Sequence, residues 1–268
     1  MGYEIIALDI DGTLTDSHRE LTPRTINTLI EAQKRGKKVI LASGRHNCGM
    51  RSIAETLKLD EYEGYIMAFN GGKIINASTN EVIYSVNFPR KYIASVLDSI
   101  KGSGLTVITY DDEKIIMDKT ENEYTYIEAK IVNMEYKKVD DILSYVDFEI
   151  NKMLLVGDPK VINEYERILV DKFKGYFDVF KSCPFFLEIM PFGVNKGASL
   201  SRFLPEIGYT RENLIACGDS YNDMTMIGYA GLGVCMKNGE KDVKKIADVI
   251  AESNDDDGVA KIVEQYML

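Results

Sequence analysis

Asp9 and Asp11 stand one residue apart at the end of the apolar run Tyr3 to Leu8, and Asp219 and Asp223 follow the apolar run Leu214 to Cys217 in the same manner. An Asp-Gly pair such as Asp11-Gly12 is by itself an ordinary turn signal. Two acidic loops brought to one sheet edge are different, because up to four crowded carboxylates repel one another unless a cation sits among them. Oxygen ligands without His or Cys select a hard ion, Mg²⁺ before Ca²⁺. The two histidines, His18 and His46, cannot supply a His-rich metal site, so carboxylates are expected to carry any acid-base chemistry. Lys196 opens a helix bearing Leu200, Phe203 and Leu204, at the positive end of the macrodipole, where a cation is best tolerated when an anion is shared with the helix end. Ser43, followed by Gly44, can offer its hydroxyl and nearby N–H groups to the same anion, although Ser-Gly alone is a turn. A metal, a lysine, a hydroxyl and paired carboxylates point to phosphoryl transfer.

Other chemistries fit less well. Asp9, Asp11 and Glu20 occupy the first, third and last positions of an EF-hand loop, but Leu14 stands where that loop needs Gly and an apolar, strand-like run precedes it. Lys196-Gly197 reverses the order of a Walker A motif, and no G-x-G-x-x-G follows a strand. Nucleotide-driven and dinucleotide redox chemistry therefore lose their main sequence support. Cys48, Cys183, Cys217 and Cys235 are far apart with no C-x-x-C, which argues against a disulfide framework or a structural zinc.

These residues need elements to position them. After the strand Tyr3 to Leu8, Thr22-Pro23 gives a helix start, Ile26, Leu29, Ile30 and Gln33 keep helical spacing, and Gly36 stops it. A strand at Lys38 to Ala42, a helix from about Cys48 to Leu57 and a strand at Gly64 to Phe69 follow. This β-α-β-α-β order predicts a parallel sheet with its ligand crevice at the C-terminal strand ends, where Asp9, Ser43 and Asn70 stand. From about Val86 to Cys183 the pattern changes to short strands (Thr106 to Tyr110, Lys114 to Met117, Lys152 to Val156, Phe177 to Phe180) interleaved with helices near Lys91 to Ile100, Thr120 to Ile131 and Pro159 to Lys172. The βα rhythm returns after Phe186 and ends in a helix from about Asp257 to Tyr266. The expected fold is α/β: a Rossmann-like parallel-sheet core made of residues 1–85 and 184–268, with an α/β domain, residues 86–183, inserted in it. The acidic run Ser253 to Asp257 is expected to be a solvated loop and helix cap.

A length of 268 residues allows one large or two ordinary domains, and 45% hydrophobic with 28% charged residues describes a folded soluble chain. A formal net charge of −10 argues against duplex nucleic acid or an anionic membrane as partner, but leaves room for a small anionic ligand met by local positive groups. Without a signal-peptide pattern or a spanning apolar run, the cytoplasm is the expected location.

The motif set resembles the haloacid dehalogenase (HAD) superfamily, in the Cof-type class that carries a large α/β cap. It consists of D-x-D-G-T at 9–13, Ser43-Gly44-Arg45, Asn70-Gly71-Gly72, Lys196-Gly197 and G-D-x-x-N-D at 218–223, in family order along essentially the whole chain. The resemblance implies that Asp9 is a nucleophile forming an aspartyl phosphate and that Asp11 is the acid-base partner. It implies Mg²⁺ held by the Asp9 carboxylate, the Asp11 backbone carbonyl and Asp219, with Asp223 beside them. Ser43, the backbone at Ile10 and Gly44, Asn222 and Lys196 would hold the phosphoryl oxygens, and Arg45 and Asn70 would touch the phosphate or leaving group. Gly72 stands where the family more often has Ala. Glu188 fits the family pattern either facing substrate or as a structural residue, and Tyr110, Tyr124 and Tyr126 are candidates in a cap that closes over the site and reads the leaving group. The implied activity is a phosphatase of small phosphorylated metabolites, sugar phosphates first and flavin mononucleotide or pyridoxal phosphate second. A phosphomutase of the same fold and a phospho-acceptor signalling protein are the alternatives.

Overall fold

The structure, a computed structural model, describes residues 2–118 and 120–268. Five strands come first: β1 (Ile5–Leu8), β2 (Lys38–Ala42), β3 (Tyr65–Ala68), β4 (Lys73–Asn76) and β5 (Val82–Ser85). Six follow in the middle: β6 (Thr106–Tyr110), β7 (Lys114–Met117), β8 (Glu135–Lys138), β9 (Met153–Val156), β10 (Phe177–Cys183) and β11 (Phe186–Pro191). The last are β12 (Leu214–Gly218), β13 (Leu232–Cys235) and β14 (Val249–Ile250).

One eight-stranded sheet runs β14-β13-β12-β1-β2-β3-β4-β5 and one six-stranded sheet runs β10-β11-β9-β6-β7-β8. In the first, β1 pairs parallel with both β2 and β12, and β2–β3, β12–β13 and β13–β14 are also parallel. Strands β1, β2 and β12 are buried almost throughout, which suits their Ile, Val, Leu and Ala content, since a parallel sheet is covered on both faces. The chain divides into two compact units, Met1–Tyr84 with Asn195–Leu268, and Ser85–Val194. Each has its own core. Ile5, Ile40, Met67, Leu200, Phe203 and Ala216 belong to the first, and Val107, Ile116, Leu155, Leu169, Leu187 and Ile189 to the second.

Two sequence expectations need correction. The return of the βα rhythm after Phe186 predicts that the strand ending at Met190 belongs to the core, with the boundary at residue 184. Instead β11 pairs antiparallel with β9 and β10, so the second unit runs to Val194. Its burial on both faces reads identically in either sheet; hydrogen-bond partners, which a single strand's sequence does not encode, make the difference. The helix expected over Thr120 to Ile131 is Thr125–Val132, because the Asn122 side chain ties the preceding turn to Thr106 and to the Val156 carbonyl. The helix starting at Pro23 is capped as its sequence predicts, with the Thr22 hydroxyl accepting from Thr25 N–H. The acidic run also caps: Ser253 accepts from Asp255 N–H, while Asp257 precedes the final helix, Gly258–Tyr266, and takes the Thr22 hydroxyl instead. Among the described residues, no helix is long and apolar enough to cross a membrane.

Candidate active site

The residues singled out by their chemistry gather at the C-terminal ends of the parallel strands of the first unit. Asp9 follows β1, Ser43 follows β2, Asn70 lies just past β3 and Asp219 follows β12. Because β1 has parallel neighbours on both sides, the chain diverges at its end and leaves a crevice there.

Lys196 is fully buried beside these strand ends, and its ammonium donates to Asp9 Oδ1 and to Asp223 Oδ1 at 2.6 Å each. It is the first residue of the helix Lys196–Glu206, whose N-cap, Asn195, accepts from Ala198 N–H at 2.8 Å. Burial works against the ammonium, but Asp223 and then Asp9 outweigh it and hold its pKa above that of an ordinary lysine. The same burial, followed by the charge of Asp223, pushes the Asp9 carboxyl upward despite Lys196. Burial and then carboxylate crowding thus raise Asp9, whereas the carboxylates raise Lys196 against burial.

Asp223 has both oxygens engaged. Oδ1 takes Lys196, and Oδ2 accepts from the N–H groups of Asp219 and Ser220 at 3.0 Å each, closing the turn in front of the helix Met224–Tyr229. Asp219 accepts from the Thr13 hydroxyl at 3.2 Å, and burial and then Asp223 raise its pKa to about 6. Asp9, Asp219 and Asp223 can each offer one oxygen within 4.8 Å of the others, the one such group among the described residues. Three carboxylates against one ammonium leave a double negative excess in an all-oxygen donor set, which fits a hard divalent cation such as Mg²⁺.

Asp11 is turned differently. Arg45 grips its carboxylate with both arms, Nε to Oδ2 at 3.0 Å and Nη2 to Oδ1 at 2.5 Å, and also donates to the Gly49 carbonyl at 3.2 Å. Asp11 therefore stands apart from the trio through its side chain, and Arg45 is engaged with a carboxylate. Between them Gly12 adopts φ of 81°, and a Cβ there would lie 2.7 Å from Asp219 Oδ2, so only glycine lets the two acidic loops approach.

Buried Ser43 accepts from Arg45 N–H at 3.2 Å, and its carbonyl takes Asn70 N–H. Phe69, Asn70 and Gly71 all have positive φ, a conformation costly for Phe69, and Asn70 is thereby turned toward Asn222, whose Nδ2 donates to Asn70 Oδ1 at 3.1 Å. Gly44 lies under Asn70, where a Cβ would come within 3.1 Å of its amide nitrogen. Ile10 is fully buried, with its carbonyl accepting from Thr15 N–H and hydroxyl. The expected site residues of the first unit thus occupy the loops that follow β1, β2, β3 and β12, except Lys196, which opens the helix Lys196–Glu206.

Four other candidates lie in the second unit. Glu188 is buried against Lys152, Nζ to Oε2 at 2.8 Å, and takes the Ser182 hydroxyl at 2.9 Å. Tyr110 is buried with its hydroxyl on Glu128, Tyr124 stacks on Phe185 at 5.1 Å, and Tyr126 is exposed beside Tyr136. Thr13 closes the D-x-D-G-T motif without an assigned role, and the sequence does not single out Thr225 or Asn238. Thr225 accepts Gly197 N–H at 3.1 Å, and Asn238 donates to the Gly12 carbonyl at 2.7 Å. An Asn-Gly pair such as Asn238-Gly239 is a general turn signal.

The sequence pattern of the haloacid dehalogenase-like hydrolases matches residues 6–263. A haloacid dehalogenase-like hydrolase of Bacteroides thetaiotaomicron superposes with a TM-score of 0.93 at 39% identity, covering 98% of this chain and 99% of that one. The 5-amino-6-(5-phospho-D-ribitylamino)uracil phosphatase YcsE of Bacillus subtilis is 30% identical over 267 residues, covering 99% of this chain and 96% of the relative. The subclass IIB sugar phosphatase BT4131 shares the fold at a TM-score of 0.82 and 21% identity, with 98% of each chain covered. With the family pattern matching nearly the whole chain, the chain belongs to the haloacid dehalogenase-like hydrolase family, in its Cof-type class, as a phosphoric monoester hydrolase.

Proposed function

We propose that the protein is a Mg²⁺-dependent phosphatase of small phosphorylated metabolites, acting through a phosphoryl group carried on Asp9. The observation that carries the reading is the fully buried Lys196 ammonium, 2.6 Å from both Asp9 and Asp223, with Asp219 beside them. With Oδ1 held by Lys196, the carboxylate of Asp9 is fixed in orientation and its other oxygen attacks phosphorus, while the bond from phosphorus to the ester oxygen breaks. Asp11 gives its proton to that departing oxygen. In the second half Asp11 takes a proton from water, whose oxygen attacks the phosphoryl group, so that phosphate leaves and Asp9 is restored. Mg²⁺, held by Asp9, the Asp11 carbonyl and Asp219, with Asp223 orienting Lys196 and the Asp219 loop, would neutralise the charge that otherwise sets Asp9 against an incoming phosphate.

Ser43, Asn222, Lys196 and the N–H groups near Ile10 and Gly44 hold the phosphoryl oxygens as charge shifts among them. Arg45 has to release Asp11 before Asp11 can deliver a proton, and a substrate phosphate is the anion that would draw it away; Asn70 lines the same path. The inserted domain, put at residues 86–183 by sequence and at 85–194 by compactness, is proposed as the cap that excludes water and selects the leaving group. Sugar phosphates are the first substrate class, and flavin mononucleotide and pyridoxal phosphate the second. The Bacillus subtilis relative's substrate, a phosphorylated ribityl chain on a pyrimidine, supports a polyol phosphate as the shared element.

The test is inorganic phosphate release from a panel of these four compound types, with Mg²⁺ and with chelator. Repeated turnover that chelation abolishes is the expected result. Turnover untouched by chelation would remove the metal from the reading, and a stable stoichiometric phosphoprotein would remove the hydrolase.

A further inference from the structure

An ion can bridge two acidic loops only if something holds the loops in register. The Asp9–Thr13 loop and the Asp219 loop meet directly through Asp9 N–H to the Cys217 carbonyl at 3.0 Å and the Thr13 hydroxyl to Asp219 Oδ1 at 3.2 Å. A third segment, the turn Met236 to Glu240 after β13, joins both. Met236 N–H donates to the Gly218 carbonyl at 3.0 Å and Glu240 N–H to the Asp219 carbonyl at 2.8 Å. Gly239 lies so close that a Cβ on it would be 2.9 Å from that same Asp219 oxygen.

From this turn Asn238 reaches across to the other loop, its Nδ2 donating to the Gly12 carbonyl at 2.7 Å. The other end of the amide is also tied, because Asn254 N–H donates to Asn238 Oδ1 at 3.1 Å and Asn254 Nδ2 reaches the Thr15 carbonyl at 2.9 Å. Asn238 is an exposed residue, where an amide without a task is satisfied by water. The Asp11 carbonyl, assigned to the ion, belongs to the peptide plane just before Gly12, and glycine has no Cβ to limit rotation there. The hydrogen bond at the Gly12 oxygen supplies that restraint.

We infer that Asn238 is a positioning residue for the divalent-ion site: without touching the ion, it sets the Asp11–Gly12 backbone against Asp219, and its loss weakens ion binding while the fold is kept. This rests on the Mg²⁺ reading proposed above. Mg²⁺ is titrated calorimetrically into the substrate-free full-length chain, with thermal unfolding in chelator followed in parallel. Asn238→Ala is expected to weaken Mg²⁺ binding about 10-fold, as loss of an outer partner does at other metal sites, with the unfolding temperature in chelator unchanged. It should also raise the Mg²⁺ needed for half-maximal phosphate release and leave kcat at saturating Mg²⁺ near the wild-type value.

Asn238→Asp separates geometry from charge and decides the matter if the alanine variant does not fold. It keeps the shape and the oxygen facing Asn254, but sets an acceptor against the Gly12 carbonyl. An added negative charge by itself tightens a dication, so weaker binding supports positioning and equal or tighter binding overturns it. Lys237→Ala, in the same turn and paired with Glu252 at 3.1 Å, is expected to bind as wild type; a loss equal to that of Asn238→Ala would overturn the inference. A wild-type chain that binds Mg²⁺ while Asn238→Ala binds it equally well would overturn the inference alone. A wild-type chain that binds none would overturn it together with the metal reading.

Discussion

One ammonium shared by Asp9 and Asp223, with Asp219 beside them, leaves the pocket with excess negative charge, and this sets its response to pH. The Asp219 carboxyl, ordinarily near 3.8, is held at about 6 by burial and then by Asp223. A carboxyl raised in the folded state keeps its proton more tightly folded than unfolded, so the ion-free chain should lose stability as pH rises from about 4 to about 6. Asp9, raised in the same sense, extends the loss to higher pH. Mg²⁺ displaces these protons, and the gap in unfolding temperature between Mg²⁺ and chelator is expected to widen across that window; a constant gap would dissociate the ion from these carboxyls. Asp9→Asn should reduce phosphate release roughly 10³-fold or more with an unchanged circular dichroism spectrum, and retained turnover would disqualify Asp9 as nucleophile. The paired carboxylates are legible because each is a charge placed where a buried apolar run ends, whereas Lys196 and Ser43 stand out only beside them, as a cation at a helix start and a hydroxyl at a strand end. Asn238 is not legible, since an amide before Gly looks alike in any turn, and the role of Thr13, though its motif is visible, is set only by a partner 206 residues away.

Elements deliver these side chains with little slack. The helix Lys196–Glu206 lies so close to the helix Met224–Tyr229 that a Cβ on Gly197 would be 2.2 Å from the Thr225 carbonyl oxygen. Backbone cannot give way as a side-chain tip does, so Gly197→Ala must shift the helix that begins with Lys196. A stability loss of about 1–3 kcal/mol in chemical denaturation is expected, with a fall in kcat because Lys196 moves off Asp9. Unchanged stability would mean that the two helices separate more freely than their packing indicates. The helices starting at Pro23, Pro159 and Lys196 were readable from cap residues and apolar spacing. Strand β8, Glu-Tyr-Lys-Lys, was not: all four residues are exposed on a sheet edge, leaving no alternation to see. Strand β11 was visible as a strand yet assigned to the wrong sheet.

At the scale of the whole chain, two cores that share no residue predict two stability domains. Leu155→Ala, a truncation in the core of the second unit, should cost about 2–5 kcal/mol there. Scanning calorimetry is then expected to show a lowered transition indifferent to Mg²⁺ and a second one that Mg²⁺ raises; a single merged transition that moves with Mg²⁺ would deny the units their independence.

The central position of β1 has a further consequence, for the order in which the protein is made. Its first partner, β2, leaves the ribosome soon after it, but the other, β12, is encoded some two hundred residues later, as are the partners of Asp9 and Thr13 in Lys196 and Asp219. Until those residues emerge, the nascent chain carries an acidic loop without Lys196 and Asp219. The intervening unit can fold meanwhile, since the strands of the six-stranded sheet, β6 to β11, lie within Ser85–Val194. Chemistry is thus among the last properties the growing chain acquires, which spares an unfinished polypeptide from capturing phosphate or metal before it has a strand on each side of Asp9.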